Sequence, residues 1–251
     1  MKFIIGKKIE MTQVWKNDDE VVAVTRVQAG PCTVTQTKTK ERDGYVAVQL
    51  GYGEKKEKNI RKPQRNHLKG LGDIRFMREF RVEAEGLNRG DIVDVSSFEV
   101  GDIVEVVGVS KGKGFQGVVK RHGFKGTKAT HGNKDQLRMP GSVGATGPAH
   151  IFKGTRMGGR MGNDQVTIKN LEIVEIDKEN NIISVKGALP GARNSLVLIQ
   201  GKGEMKIVES PKPKVESQES EKKDDKIQIE NKEQVKTSKE EVKKEKTEEE
   251  K

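Results

Sequence analysis

Cysteine is almost absent from this sequence. Cys32 is the single one in 251 residues, which excludes an internal disulfide framework and a multi-cysteine zinc site. It lies in a strand-like run, CTVTQTK, and is expected to behave as a small buried apolar residue. Aromatic residues are scarce at 4%, which argues against a general single-strand binder built on stacking platforms. Hydrophobic residues reach only 32%, so the core must be small or confined to part of the chain. There is no long apolar run and no basic amphipathic helix to support membrane association. The opening MKFIIGKKIEM has a short apolar patch broken by Gly6, Lys7 and Lys8; neither a signal nor a transit peptide is expected, and the expected location is the cytoplasm.

One stretch lacks acid. Residues 108–165 carry eleven Lys and Arg against only Asp135 and Asp164, with glycine recurring throughout. Between Gly123 and Gly162 no apolar run could face a core as a helix or strand. Such a segment cannot bury enough apolar area to offset its ordering entropy. Dense cations with almost no acid suit a polyanion, and a nucleic-acid backbone is the best candidate. The stretch therefore reads as a basic extended loop that orders when threaded into folded RNA; a disordered basic linker has the same composition. The candidate RNA-contacting residues are Lys111, Lys113, Lys120, Arg121, His122, Lys125, Lys128, His131, Lys134, Arg138, Ser142, His150, Lys153, Arg156 and Arg160. The formal charge of +10 is unevenly spread. Residues 211–251 hold 12 Lys against 13 Asp and Glu, leaving +11 on the rest. The basic part is the part expected to fold.

Around that stretch the pattern is mainly β. Residues 3–5 open a short strand, and Gly6, Lys7 and Lys8 read as a turn. Residues 21–28 (VVAVTRVQ) read as a strand buried on both faces, Gly30 and Pro31 break it, and residues 32–38 alternate as a half-exposed strand. Asp43 and Gly44 signal a tight turn into residues 45–50, completing a three-strand meander. Residues 51–79 are basic and weakly periodic, an excursion in which Pro63 starts a short helix ending at Leu68. Its cations suit either RNA contact or a solvated surface. Further strands are expected at 80–82, 91–95, 103–109, 166–176, 182–186 and 196–199, with GKGFQGVVKR turning and returning as a strand after the third of these. About nine short strands with little helix argue for an antiparallel β-barrel. The body is then residues 1–110 and 165–207, the extended loop 111–164, and a Lys/Glu-rich tail, 208–251, is disordered by composition.

No motif supports enzymatic chemistry. GVSKGKGFQG lacks the phosphate-loop spacing, since Lys113 is followed by Gly114, and GFKGTKAT lacks it as well. His122, His131 and His150 share the loop with no cysteine, and its positive charge repels a metal; hydrogen bonding or stacking on RNA suits them better. Ser142 has no base and acid set to activate it. No cofactor and no small-molecule substrate are expected.

Several long motifs carry a family resemblance. GKKIEMTQVW, VQAGPCTVTQTKT, DGYVAVQLGYG, SKGKGFQGVVKRHGF, THGN, RMPGSVG, HIFKGTRMGGRMG and VKGALPG occur in this order. Together they resemble the bacterial large-subunit ribosomal protein L-three family across about residues 1–202. The resemblance implies a barrel like that of translation factors and a non-enzymatic structural role in the large subunit. It also implies direct binding to 23S rRNA early in assembly and an extension reaching toward the peptidyl transferase centre. The implied neighbours are ribosomal proteins of the L-fourteen and L-nineteen families. A stand-alone translation factor or a general RNA chaperone is the alternative; the first would need a phosphate-binding motif. Two positions depart from the family pattern. Leu137 precedes Arg138 where many members have histidine, and residues 142–152 contain no glutamine of the kind some bacterial members carry methylated.

Overall fold

The computed structural model describes residues 1–17, 20–82 and 86–208, so nearly all of the tail expected to be disordered lies outside the described residues. The long strands β1 (Lys2–Asn17) and β2 (Glu20–Ala29) are followed by β3 (Cys32–Lys38), β4 (Ala47–Glu54), β5 (Ile74–Phe80) and β6 (Ile92–Val93). Next come β7 (Ile103–Val109) and the short β8 (Gly114–Gln116). After the basic stretch, β9 (Gly159–Met161) leads to β10 (Gln165–Asp177), β11 (Ile182–Lys186), β12 (Leu196–Gly201) and β13 (Ile207–Val208). Among the described residues three short α-helices interrupt them: α1 (Lys40–Asp43), α2 (Lys62–His67) and α3 (Val118–His122).

Six strands close an antiparallel barrel in the order β1, β12, β7, β10, β11, β2. Alternate residues are buried, as a strand with one face toward a core requires: Val104 and Val106 on β7, Val197 and Ile199 on β12; on β11 Ser184 is buried together with Ile183 and Val185. The mainly β, antiparallel-barrel expectation holds, but the strands divide between two large sheets. A second sheet runs β13, β6, β3, β4, β5. The N-terminal meander is thus split where the sequence breaks: Gly30 takes φ 72°, and Pro31 has no amide hydrogen to give a ladder. Phe3, Ile4, Ile5, Val27 and Ala29 share one core with Val34, Leu50, Phe80, Val93 and Phe98. The Phe3 and Phe80 rings lie 4.8 Å apart. Each such side chain removed from water contributes about 1.5–3 kcal/mol. Cys32 is buried among them, its thiol pushed up to about 12 by burial.

Three local expectations are corrected. Gly6 is no turn: β1 runs through it, pairing with Val197 on one side and Ala29 on the other. A Cβ there would lie 2.6 Å from Val27 Cγ1 and 2.9 Å from the Gln28 carbonyl, so glycine permits the close approach of β2. Strand β2 is buried mostly on one face, with Val21 and Ala23 exposed, because an antiparallel barrel strand has an outer surface. GVVKR is not a returning strand. Both edges of β7 are taken by β10 and β12, so β8 pairs with β9 and the chain enters α3, which Gly123 ends at φ 72°. The helix expected from Pro63 is α2, and Gly44, at φ 80°, caps α1 in the turn before β4.

Lys2 on β1 reaches Asp102, ahead of β7, at 2.7 Å. Burial would raise the Asp102 carboxyl, but hydrogen bonds from Lys2 and the Glu99 amide, with the charge of Lys2, hold it below the usual carboxylate range.

Two tests follow from this packing. Gly6→Val should destabilise the protein by about 1–3 kcal/mol in chemical denaturation through overpacking; unchanged stability would show that β1 and β2 do not approach so closely there. Because the folded pKa of Asp102 is depressed, its stabilisation is complete above the unfolded value and is lost as pH falls through the folded one. Asp102→Asn should therefore cost stability at neutral pH, and the gap to wild type should close as pH falls through and below the ordinary carboxylate range. A pH-independent gap would assign the loss to packing instead.

Candidate nucleic-acid interface

The basic stretch leaves the barrel from two strands that are already paired. On β7 and β10, Val109 lies opposite Gln165 and Gly108 opposite Val166. The pairing continues outward: the Ser110 amide donates to the Asp164 carbonyl at 2.9 Å, and the Lys113 amide to the Met161 carbonyl at 2.9 Å. Strands β8 and β9 then set Phe115 opposite Arg160. Beyond them Arg121 Nη1 and His122 Nε2 both donate to the Met157 carbonyl, each at 3.0 Å. Two glycines make this neck possible. Gly162 sits at φ 76° with the Lys111 carbonyl against its α-carbon, and a side chain at Gly159 would meet the Arg121 guanidinium.

Past the neck the chain makes only local bonds. Thr127 reaches across to residues 136–137 by its amide and hydroxyl, at 3.1 and 2.9 Å. Asn133 Nδ2 donates to the Lys128 carbonyl, Ser142 Oγ to the Gly144 carbonyl, and Thr155 Oγ1 to the Phe152 carbonyl. The His150 ring stands edge-on to Phe152 at 5.2 Å. Between Gly108 and Ile173 the only buried residue is Val118. The extension has no core.

Its charges are free. Lys111, Lys113, Lys120, Arg121, Lys125, Lys128, Lys134, Arg138, Lys153, Arg156 and Arg160 are all exposed, and none of them enters an ion pair among the described residues. The body differs. Lys2, Lys16, Lys38, Arg65, Lys169, Lys186, Arg193 and Lys206 are each matched with a carboxylate. The excursion is therefore partly committed, since Arg65 holds Glu57 at 3.1 Å and Arg75 lies over the Phe76 ring.

Of the other candidates, His131 and His150 are exposed and Ser142 faces solvent, whereas His122 is half-buried and clasps the neck. Leu137 is exposed while its carbonyl takes the Thr127 amide, so the backbone arrangement there does not need the histidine common in the family. Two features escaped the sequence reading. Lys8, in the supposed turn, is buried at the root of the extension and donates to the Leu189 carbonyl at 2.8 Å; burial, then the charge of Lys111, lowers its pKa. It lines a cleft of about 500 Å³ with Ser110, Lys111, Lys113 and Asp164. Phe115 is 80% exposed on the neck. Neither position has a sequence signal, because each depends on a pairing between distant segments. Among the described residues no three or more His, Cys, Asp or Glu gather to hold a metal, and no helix is long and apolar enough to cross a membrane.

Residues 7–181 match the family model described as "Ribosomal protein L3". The protein named large ribosomal subunit protein uL3 from Herpetosiphon aurantiacus is 53% identical over 199 residues, covering 78% of this chain and 94% of that protein. Its namesake from a Roseiflexus species is 52% identical over 200 residues, covering 78% and 95%. The one from Bacillus thuringiensis is 49% identical over 203 residues, covering 80% and 96%. On this similarity, running through barrel and extension alike, the chain belongs to the ribosomal protein L-three family, whose members are structural proteins of the large ribosomal subunit and not enzymes.

Proposed function

We propose that this chain, as a structural protein of the large subunit in the cytoplasmic ribosome, binds 23S rRNA directly and threads residues 111–164 into the folded RNA. The observation that carries this reading is the set of eleven exposed cations that enter no ion pair among the described residues, borne on a segment that has no core. Ordering such a segment costs about 1–2 kcal/mol per residue in backbone entropy, and only contacts with a partner can offset that beyond the neck. A polyanion supplies them. Each phosphate neutralised also releases condensed counterions, so affinity grows with the number of Lys and Arg engaged.

Within the extension, position and affinity separate. Residues 141–150, GSVGATGPAH, carry no fixed charge, and nothing lies within 4 Å of where a side chain at Gly144 or Gly147 would sit. These small residues suit close seating against RNA near the peptidyl transferase centre, while Arg138, Lys153, Arg156 and Arg160 hold phosphates on either side. His131, His150 and Ser142 add hydrogen bonds there. The barrel docks on the RNA surface early in assembly, beside neighbours of the L-fourteen and L-nineteen families; the family resemblance supports both points.

Salt dependence tests the reading. With roughly 6 to 8 phosphates neutralised, log affinity for 23S rRNA should fall against log salt with a slope of about −5 to −7. Replacing Arg138, Lys153, Arg156 and Arg160 by glutamine should flatten that slope by about 3 to 4. A slope near zero, or one unchanged in the quadruple variant, would show that these cations do not meet phosphates.

A further inference from the structure

Phe115 stands out from the other residues of the neck. Its ring is 80% exposed, although it belongs to a hydrogen-bonded ribbon rather than a loose loop. The backbone that carries it is fixed by its pairing with Arg160, and one side of the ring lies over Gly158, where a Cβ would come 3.4 Å from Phe115 Cε1. The rest of the ring faces outward. Its cross-strand partner Arg160 is exposed, as is Lys113 two residues before it, and neither is in an ion pair among the described residues. A bare phenylalanine in a field of one sign is costly in water and is a poor docking site for an ordinary protein surface of mixed charge. It suits a flat, apolar ring that brings negative charge with it.

Resting on the reading that the extension binds rRNA, we propose that Phe115 is a stacking platform for an unpaired nucleobase of that RNA, with Arg160 and Lys113 holding the flanking phosphates. Specific RNA recognition commonly works this way: a base free of its helix stacks on an aromatic side chain while nearby cations hold the backbone. The rigid neck matters, because a platform fixed before binding loses little entropy when the base arrives. Trp15 is also exposed, at 62%, but its surroundings are mixed, since neighbouring Lys16 is bound to Glu172 and feels Glu20. The scarcity of aromatics excludes a general single-strand binder; it leaves room for one platform at one place.

The test uses the full-length protein and 23S rRNA at fixed salt, comparing wild type with Phe115→Leu and Phe115→Trp. Phe115 is outside the core, so neither change should disturb folding. Phe115→Leu keeps an apolar side chain but removes the π-face. It should weaken binding by about 5- to 150-fold, the range found for losing one aromatic–base stack. One or two unpaired nucleotides should then gain reactivity toward 2′-hydroxyl acylation, and the salt slope should stay as in wild type. Phe115→Trp should restore both affinity and protection. Wild-type affinity and reactivity in Phe115→Leu would overturn the platform while leaving rRNA binding intact, and would point to a protein neighbour covering the ring. Equal weakening by Leu and Trp would also overturn it, as the ring would then be filling a shaped pocket. If wild type itself bound without salt dependence, the rRNA reading would fall, and the platform with it.

Discussion

The pairing of β7 with β10 is the constraint on which the rest of this molecule depends. It closes one side of the barrel, and at its outer end, where Val109 meets Gln165, it also fixes the direction in which the extension leaves. A coreless segment can be aimed only by its root. Here the root is a ladder that continues from the barrel through Ser110 and Lys113 into the ribbon of β8 and β9, with the Met157 carbonyl clamped by Arg121 and His122. The barrel in turn rests on tight strand crossings such as that at Gly6, and on the core that Phe3, Ile4 and Ile5 share with the second sheet.

Charge is sorted along the same line. In the body, Lys and Arg are nearly equalled in number by Asp and Glu, and several pair directly: Lys2 with Asp102, Lys38 with Glu79, Lys169 with Glu105. The exposed pairs, such as Lys169 with Glu105, contribute little stability, about 0–1 kcal/mol, while the buried Lys2 is shielded from solvent. The extension has almost no acid to match, so its positive potential is undiminished and available to an external polyanion. A folded, internally balanced body thus carries an unbalanced arm. The scarcity of apolar residues in that arm is consistent with the proposed seat in folded RNA, where a protein core would have no use.

Composition and local pattern disclosed much of this. The acid-poor, glycine-rich run marked the extension, and the strand-like runs marked β7, β11 and β12, where Val104, Val106, Ile183, Val185, Val197 and Ile199 turn inward. Pro63 and Gly44 placed a helix start and a turn through backbone preferences that act locally. What stayed hidden depends on partners far away in sequence. Gly6 looks like a turn residue until β2 is laid across it, and GVVKR looks like a strand until both edges of β7 are occupied. The division into two sheets, the burial of Lys8 and the exposure of Phe115 are likewise products of long-range pairing.

The central claim is that a free, cationic extension is held inside rRNA by phosphate contacts. An electron cryomicroscopy map of the large subunit containing this protein tests it most directly. The account predicts ordered density for residues 111–164 within the RNA. Arg138, Lys153, Arg156 and Arg160 should face phosphates, and residues 141–150 should lie toward the peptidyl transferase centre. An extension lying on the solvent surface, or density for the barrel alone with none for the arm, would contradict it.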